Sequence, residues 1–395
     1  MNISIISMLR FHLFNQADEL GKIPKNNIQL YTSWPNRIAI KKHGLKHINI
    51  KGYWFFGILI FLSQKLPLGL FTSYVMKFIN YTFARYAFKS LPADVDKVIF
   101  CSTHLFPNLD IINRCNAEVI IDHGSLHPVY EMNLMNIENE KYSFKISGNE
   151  SKPWIQSWLI KEFDVADKIF VCSNLAKDTF IQHGVKSEKI YTNKLGVNLN
   201  QFISDDVRTY VINKECVNIL CVGAVIPRKG IHRLIDSLID IKEYNFKLTC
   251  VGTLPKDNSL RKILEKSYDN IQVNLIGAVD QAELKNYYLE SDLFILPSIC
   301  DGFGMVTTQA MASKSVCLIS SSAGSKELID NGINGFIIPD VKNKIEFTNV
   351  LLKVLKLSPV EREEIANKAQ DTVKNLSGWS DYGLSVHKSL IKNEK

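Results

Sequence analysis

Several features are missing from this 395-residue chain, and each absence removes a class of answer. There is no C-x-x-C pair. The eight cysteines stand singly, several in apolar runs such as IFCS, IFVCS and ILCVG. That pattern predicts buried reduced thiols, with no disulfide framework and no zinc site. No H-E-x-x-H or Walker-A sequence occurs, and Asp94-Val95-Asp96 reads as a pair of loop acids, so no metal site is expected. The longest uncharged aromatic-aliphatic run, Gly52 to Gln64, has 13 residues between Lys51 and Lys65, where a membrane span needs about 20. The apolar start, Ile3 to Leu9, has no basic region before it, so a signal peptide is not expected. Acid is scarce at one end. Residues 1–92 hold twelve Lys and Arg against Asp18 and Glu19, while the whole chain carries only +7. With no helix-turn-helix or aromatic-interleaved motif, that basic quarter does not indicate nucleic acid. Basic charge beside Trp, Phe and Ile suits an anionic lipid surface, and the competing reading is a buried helix inside a basic shell.

What is present is globular, with 46% hydrophobic and 22% charged residues, and long enough for two domains. Strand-like runs appear at Asn2 to Ser7, Lys97 to Phe100, Glu118 to Ile121 and Lys168 to Val171, with a helical pattern from Trp154 to Phe163. A second series starts at Val217 with NILCVG and continues with KLTCVG, VNLIG, LFILPS, CLISS and GFIIP. Helix candidates lie between them at 231–241, 259–266, 281–290, 305–312 and 326–330. Alternation of this kind predicts two doubly wound parallel sheets. The expected organisation is a Rossmann-like domain over 1–200 and a linker over 201–215. A second Rossmann-like domain follows over 216–375, then a C-terminal helix over 376–395 that crosses back to the first domain.

Ligands of such sheets bind beyond the carboxyl ends of the strands. After LFILPS come Asp301-Gly302-Phe303-Gly304, then a helix from Met305 with Gln309 one turn inside. A glycine turn at a helix N-terminus suits an anion, and a carboxylate beside it suits sugar hydroxyls. After NILCVG, which ends at Gly223, come Arg228-Lys229-Gly230. Two cations at a loop-to-helix junction suit a diphosphate. In the first half, the strand 118–121 leads into Asp122-His123-Gly124-Ser125-Leu126-His127, and both histidines are candidates. Glu131 and Glu162 read equally well as solvated helix charges.

Gly223, Arg228, Lys229 and Gly230 come first. Pro297, Ser298, Asp301, Gly302, Phe303, Gly304 and Gln309 follow about seventy residues later, and then Ala323-Gly324-Ser325-Lys326-Glu327 and Asn334-Gly335-Phe336. In that order the second half resembles the family-4 retaining glycosyltransferases of bacterial surface-polysaccharide type. The resemblance implies an α/β GT-B fold, with two Rossmann-like domains whose parallel sheets face across a cleft. It implies transfer of a sugar, with retention, from a nucleotide-diphospho-sugar to a saccharide acceptor, lipid-linked in lipopolysaccharide, O-antigen or capsule assembly.

Donor binding would fall to Gly223, Arg228, Lys229, Asp301, Gly302, Phe303, Gly304, Met305, Gln309 and Glu327. Arg228 and Lys229 would stabilise the leaving diphosphate, and Asp301 would meet the sugar. A first-half histidine, His127 or His123, would help position it, and the G-S-x-H run favours His127. No cofactor or metal is expected. The enzyme would work in the cytoplasm, peripherally on the inner face of the plasma membrane. Two departures from the family stand out. Asp301 and Gln309 replace a pair of glutamates, and Met8-Leu9-Arg10-Phe11-His12 replaces the glycine-rich loop after the first strand. The alternatives are a GT-B nucleotide-sugar epimerase and a non-catalytic sugar-nucleotide-binding homologue.

Overall fold

Hydrophobic strands alternate with helices along the whole chain, and the computed structural model resolves that alternation into two parallel sheets. The structure describes residues 1–65, 71–104, 108–112, 116–144, 153–197, 199–203, 208–376 and 378–392. The first sheet comprises β1 (Asn2–Ile6), β2 (Asn27–Thr32), β3 (Asn49–Gly52), β4 (Lys97–Cys101), β5 (Glu118–His123), β6 (Lys168–Val171) and β7 (Ile190–Thr192). Its strand order is β3-β2-β1-β4-β5-β6-β7. The second comprises β8 (Val217–Val222), β9 (Phe246–Val251), β10 (Ile271–Gly277), β11 (Leu293–Leu296), β12 (Val316–Ser320) and β13 (Phe336–Ile338), in the order β10-β9-β8-β11-β12-β13. In each sheet the order reverses beside the first strand, between β1 and β4 and between β8 and β11. That switch point opens the crevice where ligands of doubly wound sheets lie.

Three strands are short of apolar signal. β3 is NIKG at the sheet edge, β7 has three residues, and β2 mixes Asn, Gln and Thr with its apolar positions. Sheet pairing makes them strands, since each registers in parallel against a neighbour. β5 runs on to His123, so Asp122 and His123 belong to the strand and do not follow it. The segment expected as a helix at 326–330 is a short 3-10 turn, Gly324–Leu328. The first sheet's last strand ends at Thr192 and the second sheet's first begins at Val217. The C-terminal helix Trp379–Ile391 packs on the helix His12–Gly21 of the first domain. Seven cysteines, at 101, 172, 216, 221, 250, 300 and 317, are free thiols; Cys115 lies outside the described residues.

The helix Trp54–Lys65 buries only one face, Phe56 and Ile60, in the first-domain core. Trp54, Ile58 and Phe61 are each about half exposed, and Tyr74 and Phe78 of the neighbouring helix Phe71–Lys89 are more so.

One first-domain helix, Pro128–Tyr142, reaches into the second domain. Glu138 is fully buried there, with its carboxylate on Arg233 Nη2 at 2.7 Å, Arg233 Nε at 2.9 Å and His232 Nε2 at 2.8 Å. Phe144 beyond it joins the second-domain core beside Ile235 and Leu260. Burial alone would raise the Glu138 pKa, but the bonds and charges of His232 and Arg233 outweigh it and hold the group near 2. Burial of His232 outweighs its bond to Glu138 and lowers its pKa below 6.5.

Both shifts mean that the unfolded chain binds more protons, so stability falls with pH, first below 6.5 and then from 4.5 towards 2. Thermal melting from pH 8 to pH 4 is expected to show this decline. Glu138→Gln, which strands a buried guanidinium, is expected to cost roughly 3–5 kcal/mol at neutral pH.

Candidate active site

The second-domain cluster is built by two strand ends that lock together. After β8, Gly223 takes φ +130° and the chain turns through Pro227–Lys229 into Gly230 at φ +69°. A Cβ on Gly230 would stand 1.9 Å from the Pro297 carbonyl, so only glycine lets the turn seat against the loop after β11. The Ile299 amide donates to Arg228 O at 2.9 Å, and Arg228 Nη1 donates to Cys300 O at 3.0 Å. Lys229 Nζ then reaches the Asp301 carboxylate. Burial would raise the Asp301 pKa, but Lys229 and Arg228 outweigh it and hold the carboxyl below its usual range. A Cβ built on Gly223 would lie 3.6 Å from Lys229 Cε, so Gly223 borders that side chain. Gly223, Arg228, Lys229 and Asp301 are thus brought together.

Gly302 and Gly304 shape the loop that follows. A Cβ on Gly302 would lie 2.5 Å from Gly124 O in the first domain, and Gly302 O accepts from Ser173 Oγ at 2.6 Å. Gly304 has φ +85° and turns the chain into Met305 and the helix Val306–Ala312. Phe303 carries its side chain inward, among Leu296, Met311 and Ala323, so it anchors the loop and leaves only its backbone for a ligand. Gln309 Oε1 is 3.1 Å from the hydroxyl of buried Tyr288. That contact orients the amide that stands where the family has a glutamate.

Three expected site residues lie elsewhere. Glu327 reaches across to the first domain, where its carboxylate caps the helix Asn174–Gln182, accepting from Asn174 N at 2.7 Å and Leu175 N at 3.1 Å. Free N–H groups and the helix dipole favour a carboxylate there. His123 bonds Ser102 Oγ at 3.0 Å and Leu126 O at 3.1 Å, and its ring meets Phe163 and Phe180. His127 is buried, stacked on His183 with centroids 4.4 Å apart. His183 follows the C-terminal end of the helix that Glu327 caps. Burial, then the neighbouring His183 and His123, push the His127 pKa down to about 3. The aromatic cluster packs both imidazoles within the first domain.

Glu131 and Glu162 are buried and not solvated. Glu131 ties down Ser125 and the Leu126 amide, and Glu162 accepts from the Thr103 amide at 2.7 Å. A different pair, His12 and Asp122, meets at 2.6 Å near Gly124. Each has a post-strand or strand-end position as its sequence signal, but 110 residues separate them. Among the described residues no group of three or more His, Cys, Asp or Glu could hold a metal ion.

Residues 203–372 match the family Glycosyl transferases group 1. The match lies wholly within the second half and takes in 170 of the 395 residues. Every second-domain residue of the cluster falls inside that match. The chain is 30% identical over 222 residues to the capsular polysaccharide biosynthesis glycosyltransferase CapM of Staphylococcus aureus, covering 52% of this chain and 53% of CapM. It spans about half the length of the curated relatives it matches first. Among solved structures, the sucrose-phosphate synthase of Thermosynechococcus elongatus superposes with a TM-score of 0.69 at 17% identity, covering 99% and 98% of the two chains. Anabaena Alr3699/HepE, solved with UDP and glucose, gives 0.64 at 14% identity, covering 99% of each chain. At these identities the likeness is one of fold, and the two-sheet arrangement is that of the GT-B glycosyltransferases.

Asp301→Asn in this domain removes the charge that holds Lys229. Isothermal titration with UDP and GDP is expected to show diphosphate binding kept or strengthened, because Lys229 is released. Lys229→Ala is expected to weaken it about ten-fold. His127→Phe, which preserves the aromatic stack, is expected to leave both affinities unchanged.

Proposed function

We propose that this protein is a glycosyltransferase that moves a sugar from a nucleotide-diphospho-sugar to a saccharide acceptor in surface-polysaccharide assembly. The observation that carries the reading is the joining of the Arg228-Lys229 turn to the Asp301–Gly304 loop at the carboxyl ends of β8 and β11. Two cations and a carboxylate converge there, as a diphosphate with an attached sugar requires. The match to Glycosyl transferases group 1 and the name of CapM support the same reaction class and setting. HepE has been solved with UDP-glucose, which supports a nucleotide-sugar donor.

In this reading the acceptor hydroxyl oxygen bonds to the anomeric carbon as the carbon–oxygen bond to the diphosphate breaks. The electron pair leaves with the phosphate, and the hydroxyl proton passes to a phosphate oxygen on the same face, giving retention. Arg228 and Lys229 neutralise the departing charge, so no metal ion is required. Lys229 is held by Asp301 before the donor arrives, and a bound phosphate competes for it. Asp301 is then free to accept from sugar hydroxyls. Gln309 takes the ribose position with a neutral amide, a weaker hold than a carboxylate's.

The acceptor in this reading is lipid-linked and is met at the cytoplasmic face of the plasma membrane. No described helix is long and apolar enough to cross a bilayer. The exposed Trp54, Ile58 and Phe61 border a groove of about 400 Å³, shared with Leu9, Trp34 and Ile38. Exposed Arg10, Arg37, Lys41 and Lys51 lie in the same basic segment. Apolar side chains among cations suit an anionic leaflet.

Incubation with a panel of UDP- and GDP-hexoses, with and without saccharide acceptors, tests the reaction. Release of nucleoside diphosphate that depends on acceptor is expected, and interconversion of the donor sugar with no acceptor would instead identify an epimerase. Sedimentation with phosphatidylglycerol vesicles is expected to bind the protein in low salt and release it in high salt. Trp54→Ser combined with Phe61→Ser is expected to weaken this binding about ten-fold or more.

A further inference from the structure

An imidazole that no motif singled out stands at the seam between the domains. His12 opens the helix His12–Gly21, directly after the loop that follows β1. Its Nε2 lies 2.6 Å from Asp122 Oδ1. The other oxygen, Asp122 Oδ2, accepts from Gln16 Nε2 at 2.8 Å, and Gln16 in turn lies 3.1 Å from the Tyr382 hydroxyl of the C-terminal helix. A carboxylate only accepts, so His12 donates through Nε2, and in the neutral ring Nδ1 carries the lone pair. His12 and Asp122 side chains are 12% and 5% exposed, so the pair is sheltered yet the ring is reachable.

The ring is also aimed. A Cβ built on Gly124 would stand 3.3 Å from His12 Cε1 and 3.8 Å from Nδ1. The Cε1–Nδ1 edge therefore lies over Gly124, whose carbonyl is what Gly302 approaches from the second domain. Asp301 immediately precedes Gly302 in the chain. His123 has both ring nitrogens bonded within the first domain, and His127 is packed against His183. His12 is thus the imidazole whose acceptor nitrogen opens on the seam.

We propose that His12 meets the transferred sugar. Its Nδ1 accepts a hydrogen bond from a hydroxyl of the hexose whose other hydroxyls reach Asp301, and Asp122 is the positioning residue that fixes the tautomer. This assignment rests on reading the cluster as a nucleotide-sugar site. A neutral nitrogen acceptor suits a hydroxyl and repels a phosphate oxygen, so His12 discriminates the sugar end of the donor and leaves the diphosphate to Arg228 and Lys229. The C-terminal helix contributes through Tyr382 and Gln16, which complete the hydrogen bonding of Asp122.

The test compares His12→Ala, His12→Gln and Asp122→Asn with the wild type. Thermal melting confirms that each is folded. The probes are UDP and GDP, and the UDP- and GDP-hexoses that the wild type binds. His12→Ala is expected to lower kcat/KM for the nucleotide sugar roughly ten-fold or more while nucleoside diphosphate affinity stays within about two-fold. His12→Gln, whose amide oxygen accepts a hydroxyl, is expected to recover part of the loss. In Asp122→Asn the amide oxygen stays with Gln16 and its N–H faces His12, which moves the ring proton to Nδ1. Imidazole ¹⁵N NMR is expected to show that tautomer change, with a loss of turnover like that of His12→Ala.

Turnover by His12→Ala within about two-fold of wild type, or an equal fall in nucleoside diphosphate and nucleotide-sugar affinity, would overturn the assignment. If Lys229→Ala and Asp301→Ala still lose turnover in that case, the reading of the site survives and only the role of His12 falls. A wild type that binds no nucleotide sugar at millimolar concentration overturns both.

Discussion

The site depends on a backbone-to-backbone contact between the two domains. Gly302 comes so near Gly124 O that a Cβ would stand 2.5 Å from it, and a Cβ on Gly324 would stand 2.1 Å from Gly302 O. No side chain fits between these segments, so the loops after β5, β11 and β12 meet at the closest distance a polypeptide allows. Ser173 completes the seam with its hydrogen bond to Gly302 O. Everything chemical in the site is arranged around that contact, with Asp301 and Lys229 on one side and His12 and Asp122 on the other.

Two further ties hold the domains in this relation. Glu138 carries first-domain charge into a buried pocket of the second, between His232 and Arg233. Glu327 carries second-domain charge to the start of a first-domain helix. Glu138 leaves no room for its partners to be absent, since a buried carboxylate without its donors is costly. The first lies beside the second-domain core, the second beside the linker, and the glycine contact sits with the chemistry. The C-terminal helix adds a fourth tie through Tyr382, which belongs to the hydrogen-bond chain that ends at His12.

The parts of the site that are close in sequence were legible. Arg228-Lys229-Gly230 and Asp301-Gly302-Phe303-Gly304 follow strong apolar strands, and strand ends are where doubly wound sheets bind ligands. Weak strands were not legible: β3 and β7 have too little apolar signal of their own and exist because a neighbour pairs with them. Histidine roles were not legible either. His123 and His127 sit after the right strand, yet Phe163, Phe180 and His183 draw both into an aromatic cluster. Asp122 appeared to be one more residue of that run, and His12 a departure from a glycine loop; only folding brings them to 2.6 Å. Glu327 fitted a motif, but the first two amides of a helix that starts 153 residues away in sequence take its carboxylate.

The sequence by itself determined the two-sheet architecture and the second-domain cluster, because both follow from local patterns: apolar periodicity, glycine at strand ends, and cations beside them. Tertiary structure alone decided which imidazole opens on the seam, which carboxylates hold the domains together, and that the aromatic face of Trp54 and Phe61 stays exposed. Those outcomes turn on burial and on partners a hundred or more residues distant, and neither is encoded in spacing along the chain.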